Sequence, residues 1–305
     1  MGGPSTRHGM GNVSGEHRSD GAEGAGVTAA VPDIQLNNGV GIPQLGFGVL
    51  FLKPEEAIAT VREALRIGYR HIDTAEAYGN EKEVGRAIAQ SGLDPAEVFV
   101  TSKLRNNKIG FDAALYGFDQ TLAALGTDRI DLFLIHWPLP EVRDFVETWR
   151  AFERIYAEGR ARAVGVSNFQ IHHLERVMAE TDLVPAVNQI EAHPYLTQEG
   201  LLDFDARHGI ATEAWSPIAQ GAVLGDATIE AVARENARTP AQVVLRWHVQ
   251  RGSIVFPKSS SPSRMAENFE IFDFTLSEVD MRRISALDRQ ERIGPDPDTY
   301  NVTPA

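Results

Sequence analysis

Asp73, Lys103 and His136 each close a short apolar run of the chain. A carboxylate, an ammonium and an imidazole together can hold, move or stabilise a proton. Left unpaired at the ends of buried segments, such groups would be costly. Their placement therefore points to charges that are paired and used. Four more apolar runs end in groups able to bind a ligand: Ser167-Asn168, Gln189 to Glu191, Trp215-Ser216 and Lys258-Ser259. Serine, asparagine and glutamine offer donors and acceptors alike. The chain has no cysteine, which excludes a disulfide framework, a thiol nucleophile and a zinc–thiolate site.

Regular elements must position these groups. Eight apolar runs occur, at Leu45–Val49, Tyr69–Ile72, Val98–Ser102, Ile130–Ile135, Ala161–Val166, Ala186–Ile190, Ile210–Ala214 and Ser253–Phe256. Helical patterns lie between them. Ala57, Ile58, Val61, Ala64 and Leu65 recur at three- and four-residue steps behind Pro54, a good first-turn residue. Phe145, Trp149, Phe152 and Tyr156 do the same. This rhythm predicts an α/β fold, a single (β/α)₈ TIM barrel, whose chemistry sits at the C-terminal strand ends. Ile34–Leu36 and Ile42–Leu45 flank Asn37, Asn38 and Gly39, which predicts an N-terminal β-hairpin. Ser277–Leu287 predicts an extra C-terminal helix.

The barrel is expected over residues 31–305, behind a disordered Gly-rich tail at residues 1–30. That tail is too poor in apolar residues to fold. Its Gly24–Ala29 match to a dinucleotide fingerprint has no preceding strand and is a chance match. The myristoylation-like start at Gly2 and the sequons at Asn12 and Asn301 are read the same way. Lysine and arginine number 29 against 42 acidic residues, a net charge of −13. This argues against sequence-independent nucleic-acid binding, which needs phosphate-neutralising cations. No apolar run reaches the roughly 18 residues of a membrane span, and no signal peptide is evident. The chain is expected to be a cytoplasmic monomer with no membrane, nucleic-acid or metal partner.

Four motifs then resemble the aldo-keto reductase family, in that family's order. They are Asp73-Thr74-Ala75-Glu76-Ala77-Tyr78-Gly79-Asn80-Glu81 with Val84-Gly85, then Ile135-His136-Trp137-Pro138, Val164–Phe169 and Pro257-Lys258-Ser259. The likeness runs from about Ile34 to about Leu287. It is a resemblance to the microbial 2,5-diketo-gluconate reductase-like and aldehyde reductase-like members. It implies NADPH-dependent reduction of aldehydes and ketones by a catalytic group of Asp73, Tyr78, Lys103 and His136. It also implies dinucleotide binding without a Rossmann fingerprint.

On this resemblance Tyr78 is the proton donor. Lys103 is expected to lower its pKa, Asp73 to hold Lys103 charged, and His136 to orient the substrate oxygen. Ser167, Asn168 and Gln189 would hold the nicotinamide carboxamide, Trp215 would stack on the ring, and Ser216 would open the loop across the pyrophosphate. Lys258 and Arg264 would compensate a 2′-phosphate, with Ser259 beside a helix start. Glu267 and Asn268 would meet adenine. Phe51 and Trp137 would wall an apolar substrate pocket for a small carbonyl compound.

Some positions depart from the family pattern. Arg105 stands where an aromatic or small residue is usual, and Phe256 replaces a small aliphatic one. Gly48 is followed by no hydroxyl residue. Arg105 or Lys108 is expected to favour acidic carbonyl substrates. Three other functions fit parts of the pattern. One is a nucleotide-sensing regulatory subunit on the same fold. Another is a metal-dependent hydrolase using His71, Asp73 and His136. The third is a Schiff-base aldolase using Lys103.

Overall fold

The computed structural model describes residues 1–3 and 30–303. The expected tail, residues 1–30, lies outside them apart from its two ends. The hairpin is present: β1 (Asp33–Gln35) pairs antiparallel with β2 (Gly41–Pro43). Asn38 Oδ1 accepts from Val40 N, and Gly39 takes φ 81°, a left-handed turn conformation suited to glycine.

Eight strands follow in sequential order: β3 (Phe47–Gly48), β4 (His71–Asp73), β5 (Phe99–Leu104), β6 (Ile130–Ile135), β7 (Ala161–Ser167), β8 (Val187–Glu191), β9 (Ala211–Trp215) and β10 (Ile254–Val255). All neighbours are parallel, so each connection must cross over, and helices supply the crossovers. The helices are α1 (Pro54–Ile67), α2 (Glu81–Ala89), α3 (Phe111–Leu125), α4 (Phe145–Ala157), α5 (Ile171–Glu180), α6 (Glu199–Arg207), α7 (Ala227–Glu235), α8 (Pro240–Gln250), α9 (Pro262–Phe269) and α10 (Glu278–Ser285). The last is the expected extra helix; Ser277 caps it by accepting from Asp280 N at 3.1 Å. Leu45 closes the barrel through a parallel bridge to Val255, with Gly46 N donating to Val255 O at 2.7 Å.

The first strand is shorter than the expected Leu45–Val49. A Cβ at Gly46 would lie 2.7 Å from His71 Nδ1, and one at Gly48 2.9 Å from Phe256 O. Only glycine lets the strand close the barrel this tightly. The hairpin plugs the N-terminal end, where Leu36 and Ile42 pack with Phe99, Leu132, Leu134, Ala163, Val187 and Ile254. A second, larger cluster lies mostly between strands and helices. A cleft of about 610 Å³ opens beside the hairpin, lined in part by Asp33, Arg70 and Arg162. It is on the face opposite the C-terminal strand ends. No helix of the described residues is long and apolar enough to cross a membrane.

Candidate active site

Alternation along a strand sends every second side chain into the barrel. In β4 and β5 this aims Asp73 and Lys103 at one another from adjacent strands. Lys103 Nζ lies 2.8 Å from each Asp73 carboxylate oxygen and donates to Thr74 O, also at 2.8 Å. Both side chains are buried, Lys103 completely. The Tyr78 hydroxyl lies 3.5 Å from the same nitrogen. Tyr78 ends a short 3₁₀ turn, Glu76–Tyr78, which Gly79 terminates at φ 70°. Asn80 fixes that loop from behind. Its amide donates to Val49 O and Leu52 O at 3.0 and 3.2 Å and accepts from Thr74 Oγ1 at 2.9 Å. The His136 ring meets the Tyr78 ring edge-on, centroids 6.0 Å apart. The structure therefore gathers Asp73, Tyr78, Lys103 and His136 at the C-terminal mouth. Tyr78 and His136 keep part of their surface open, whereas the ion pair behind them is sealed.

Burial alone would discharge Lys103, but the negative charge of Asp73 holds its ammonium above the ordinary range. Burial raises the Asp73 carboxyl above its ordinary value; the Lys103 charge and three N–H bonds on its two oxygens, one of them from Gln189, oppose this and favour the carboxylate. The expected pull of Lys103 on Tyr78 is present but outweighed. Burial raises the Tyr78 phenol above its ordinary value, and the opposing pull of Lys103 is the smaller effect. Tyr78 thus rests as a neutral phenol. Burial, reinforced by the Lys103 charge, pushes His136 down to about 3, so its ring is neutral and keeps one N–H to donate.

The next strands bring together Ser167, Asn168, Gln189, Trp215 and Ser216. Asn168 adopts φ 63°, which asparagine tolerates better than most residues. Its amide donates to His136 O at 2.9 Å and Ser167 Oγ at 3.1 Å, and its oxygen accepts from Trp215 Nε1 at 2.8 Å. Both amide hydrogens are already committed, so a ligand carboxamide oxygen would have to displace one of these bonds, whereas a ligand N–H can use the second lone pair of the Asn168 oxygen. Gln189 departs further from expectation. Its Nε2 donates to Asp73 Oδ2 at 2.9 Å and to Glu213 Oε2 at 2.7 Å, so it braces the ion pair from below. Ser216, Ala219 and Gln220 all have positive φ, as do Phe51 and Leu139. Strained backbone is concentrated in the loops around this mouth, a pattern typical of ligand-handling sites.

Lys258 and Arg264 are exposed and form no ion pair among the described residues. Ser259 Oγ accepts from Ser261 N at 3.1 Å, and Ser261 precedes α9 without giving it a side-chain cap. Glu267 is less available than expected, because its Oε1 already accepts from Thr239 Oγ1 at 2.7 Å. Asn268 is buried on the same helix.

The C-terminal segment spans the mouth. Ile293 N and Gly294 N donate to the Glu191 carboxylate at 2.5 and 3.0 Å. Farther on, Tyr300 packs on Trp137 at 4.4 Å between ring centroids, and Asn106 Nδ2 donates to Val302 O at 3.1 Å. Trp137 is thus part of a built wall, whereas Phe51 is 76% exposed at the rim. Lys108 is occupied by Glu76 and Gln120. Sequence reasoning missed Glu213, and it flagged Glu191 only as a strand-end polar group, not as the anchor of the C-terminal segment. Both are inward-facing carboxyls whose partners lie on other elements, and only the alternation of β8 and β9 could have pointed to these roles.

The profile of the Aldo/keto reductase family matches residues 39–289. An aldo-keto reductase of Mycobacterium sp. (strain JLS) is 52% identical, over 89% of this chain and 99% of that protein. The glyoxal reductase of Bacillus subtilis (strain 168) is 44% identical, over 89% of this chain and 98% of its own. A crystal structure of a Gox0644 mutant in complex with NADPH superposes with TM-score 0.86 at 44% identity, covering 89% of this chain and 99% of that one. With the barrel, the buried ion pair and the tyrosine in place, these likenesses show that the chain belongs to the aldo/keto reductase family.

Proposed function

We propose that this chain reduces aldehydes and ketones to alcohols with NADPH, with Tyr78 as general acid. One observation carries the reading: Lys103 Nζ, fixed by both oxygens of Asp73, stands 3.5 Å from the Tyr78 hydroxyl at an open mouth. The NADPH-bound family neighbour and the glyoxal reductase relative support the same class of reaction. Residues 31–305 are read as the catalytic unit.

The donor set suits a dinucleotide with a 2′-phosphate. Lys258 and Arg264 have no internal ion pair among the described residues, and the first N–H groups of α9 have no side-chain cap. Ser259 adds a hydroxyl there, and Asn268 an amide for adenine, with Glu267 offering its second oxygen while the first holds Thr239. At the other end Ser167, Asn168 and Gln189 offer polar groups to a carboxamide, Trp215 a flat face to its ring, and Ser216 begins the crossing loop. NADPH, when bound, supplies the hydride.

The protein supplies the proton and the field. Tyr78 is protonated at rest and gives its hydroxyl proton to the substrate oxygen. Lys103 stabilises the phenolate left behind, at low dielectric, where such an interaction is strong. Asp73 keeps that lysine charged and aimed. Neutral His136 donates to the same substrate oxygen and fixes its approach. Trp137 and Phe51 give the entrance apolar surface for a small carbonyl compound.

The test follows NADPH oxidation against aldehydes, α-ketoaldehydes and keto-acids, with Tyr78→Phe beside the wild type. Tyr78→Phe is expected to lose most turnover, roughly 10²–10⁴-fold for a lost general acid, while NADPH binding is retained. Full activity in that variant would refute the assigned acid. Tight NADPH binding with no turnover in the wild type would instead favour a regulatory, nucleotide-sensing subunit.

A further inference from the structure

Beneath the ion pair lies a carboxyl group that the proposed reaction does not use. Glu213 points into the barrel from the middle of β9 and is fully buried. Its Oε2 accepts from Gln189 Nε2 at 2.7 Å, and the other hydrogen of that amide goes to Asp73 Oδ2 at 2.9 Å. One amide group therefore joins two carboxyl groups that share a single buried cation, Lys103.

The second oxygen of Glu213 has no hydrogen-bond partner among the described residues. Facing it, 3.9 Å away, is His71 Nε2. The tautomer of His71 follows from its neighbours. Its Nδ1 lies 3.3 Å from Pro43 O, which can only accept, so the ring proton belongs on Nδ1. The lone pair is then on Nε2, where it takes the Thr101 hydroxyl at 3.0 Å. A carboxylate oxygen at that place would face a lone pair with no donor in reach. A carboxylic O–H there makes no hydrogen bond either, since Nε2 is 3.9 Å away and already engaged by Thr101, but it leaves no uncompensated buried charge.

The ionisable groups around Glu213 are few. From β4 come Asp73 and His71, and from β5 Lys103. β8 presents neutral Gln189, and β10 pairs Ile254 beside it. With Lys103 positive, Asp73 negative and His71 neutral, a protonated Glu213 leaves the cluster uncharged. An ionised one leaves a net negative charge sealed from water.

We propose that Glu213 is a positioning residue, held as the neutral acid with its proton on Oε1, that keeps Gln189 on Asp73 and so keeps Lys103 aimed at Tyr78. This rests on the roles proposed for Lys103 and Tyr78. Burial, with the nearby Asp73 charge, raises Glu213 to about 8, so the resting form at neutral pH is the acid. Loss of that proton adds a second anion beside one lysine. Tyr78 then holds its own proton more tightly, and charge developing on the reacting oxygen is less well compensated. Carbonyl reduction should slow as pH rises through the Glu213 ionisation.

The experiment pairs infrared spectroscopy of the ligand-free protein with the pH dependence of kcat, in wild type, Glu213→Gln and Glu213→Leu. The wild-type-minus-Glu213→Gln difference spectrum is expected to contain a protonated carboxyl C=O band that disappears with a midpoint near 8. Glu213→Gln keeps an acceptor for Gln189 and should match wild-type kcat at neutral pH but lack the alkaline fall. Glu213→Leu removes that acceptor and should lose roughly tenfold in kcat with little change in KM. Absence of the band, or its persistence in Glu213→Gln, overturns the proposal. So does an unchanged alkaline limb in Glu213→Gln, or full kcat in Glu213→Leu. A fully active Tyr78→Phe sinks the assigned acid instead, and the infrared titration still reports on Glu213 alone.

Discussion

Gly294 is packed against Trp215 so closely that a Cβ there would lie 2.4 Å from the indole Cη2 and 3.1 Å from Glu191 Oε2. The indole is rigid and tied through Nε1 to Asn168, so it cannot simply yield. Gly294→Ala must push away either Trp215 or the C-terminal segment that Glu191 anchors. Overpacking of this kind costs about 1–3 kcal/mol. The variant is expected to melt lower, shift its tryptophan fluorescence and raise the KM for NADPH. Unchanged melting and emission together would show that the contact is not maintained in solution.

Arg105 directly follows β5 and forms no ion pair among the described residues. Its Nε is buried without a hydrogen-bond partner. Lys108, the other cation of this loop, is already neutralised by Glu76. Arg105 is therefore the cation of this loop that we propose meets an anionic substituent of a substrate. Charge reversal, Arg105→Glu, is expected to raise KM for carboxylated carbonyl compounds by roughly tenfold or more, the scale of one charge-assisted contact. Neutral aldehydes should be little affected. Equal losses on both substrate classes would sink this assignment.

Lys258 and Arg264 stand apart from every carboxylate of the described residues, which suits a dianionic phosphate. Lys258→Ala and Arg264→Ala should each weaken NADPH by roughly tenfold and leave NADH almost unchanged. Fluorescence titration with both nucleotides checks this. Parallel losses for NADPH and NADH would place the two cations elsewhere on the nucleotide.

Much of the barrel was legible because its signals are local. Runs such as Ile130–Ile135 and the helical stripe Phe145, Trp149, Phe152 need no distant partner to be read. Asp73, Lys103 and His136 stood out because charge at a strand end is informative. Gln189 stood out only as a ligand-binding strand end and Glu213 not at all, since their bracing roles depend on which strands lie opposite one another across the barrel. The direction of the Tyr78 shift was misread for a related reason. A neighbouring lysine is visible in the motif pattern, but the desolvation that outweighs it is a property of the closed fold.

The buried titratable groups also give the stability a pH optimum. Burial lowers His71, His136 and His248 from 6.5 to about 3, so the folded state keeps them neutral. As pH falls below 6.5 the unfolded chain binds protons that the folded one refuses, and each such histidine withdraws about 1.4 kcal/mol per pH unit at most. Burial acts oppositely on carboxyls, raising Glu81 from 4.5 and Asp205 from 3.8 to about 7, and Glu213 from 4.5 to about 8. There the folded state holds protons that the unfolded chain has released. That contribution is complete below the unfolded values and is lost as pH rises through 7 and 8. Between 4.5 and 6.5 the two slopes oppose each other; outside that window each acts alone. Calorimetry is expected to give the highest Tm within the window, with a fall on both sides. Glu213→Gln should flatten the alkaline side and leave the acid side unchanged. A wild-type optimum above pH 8 would contradict the neutral state assigned to all three carboxyls.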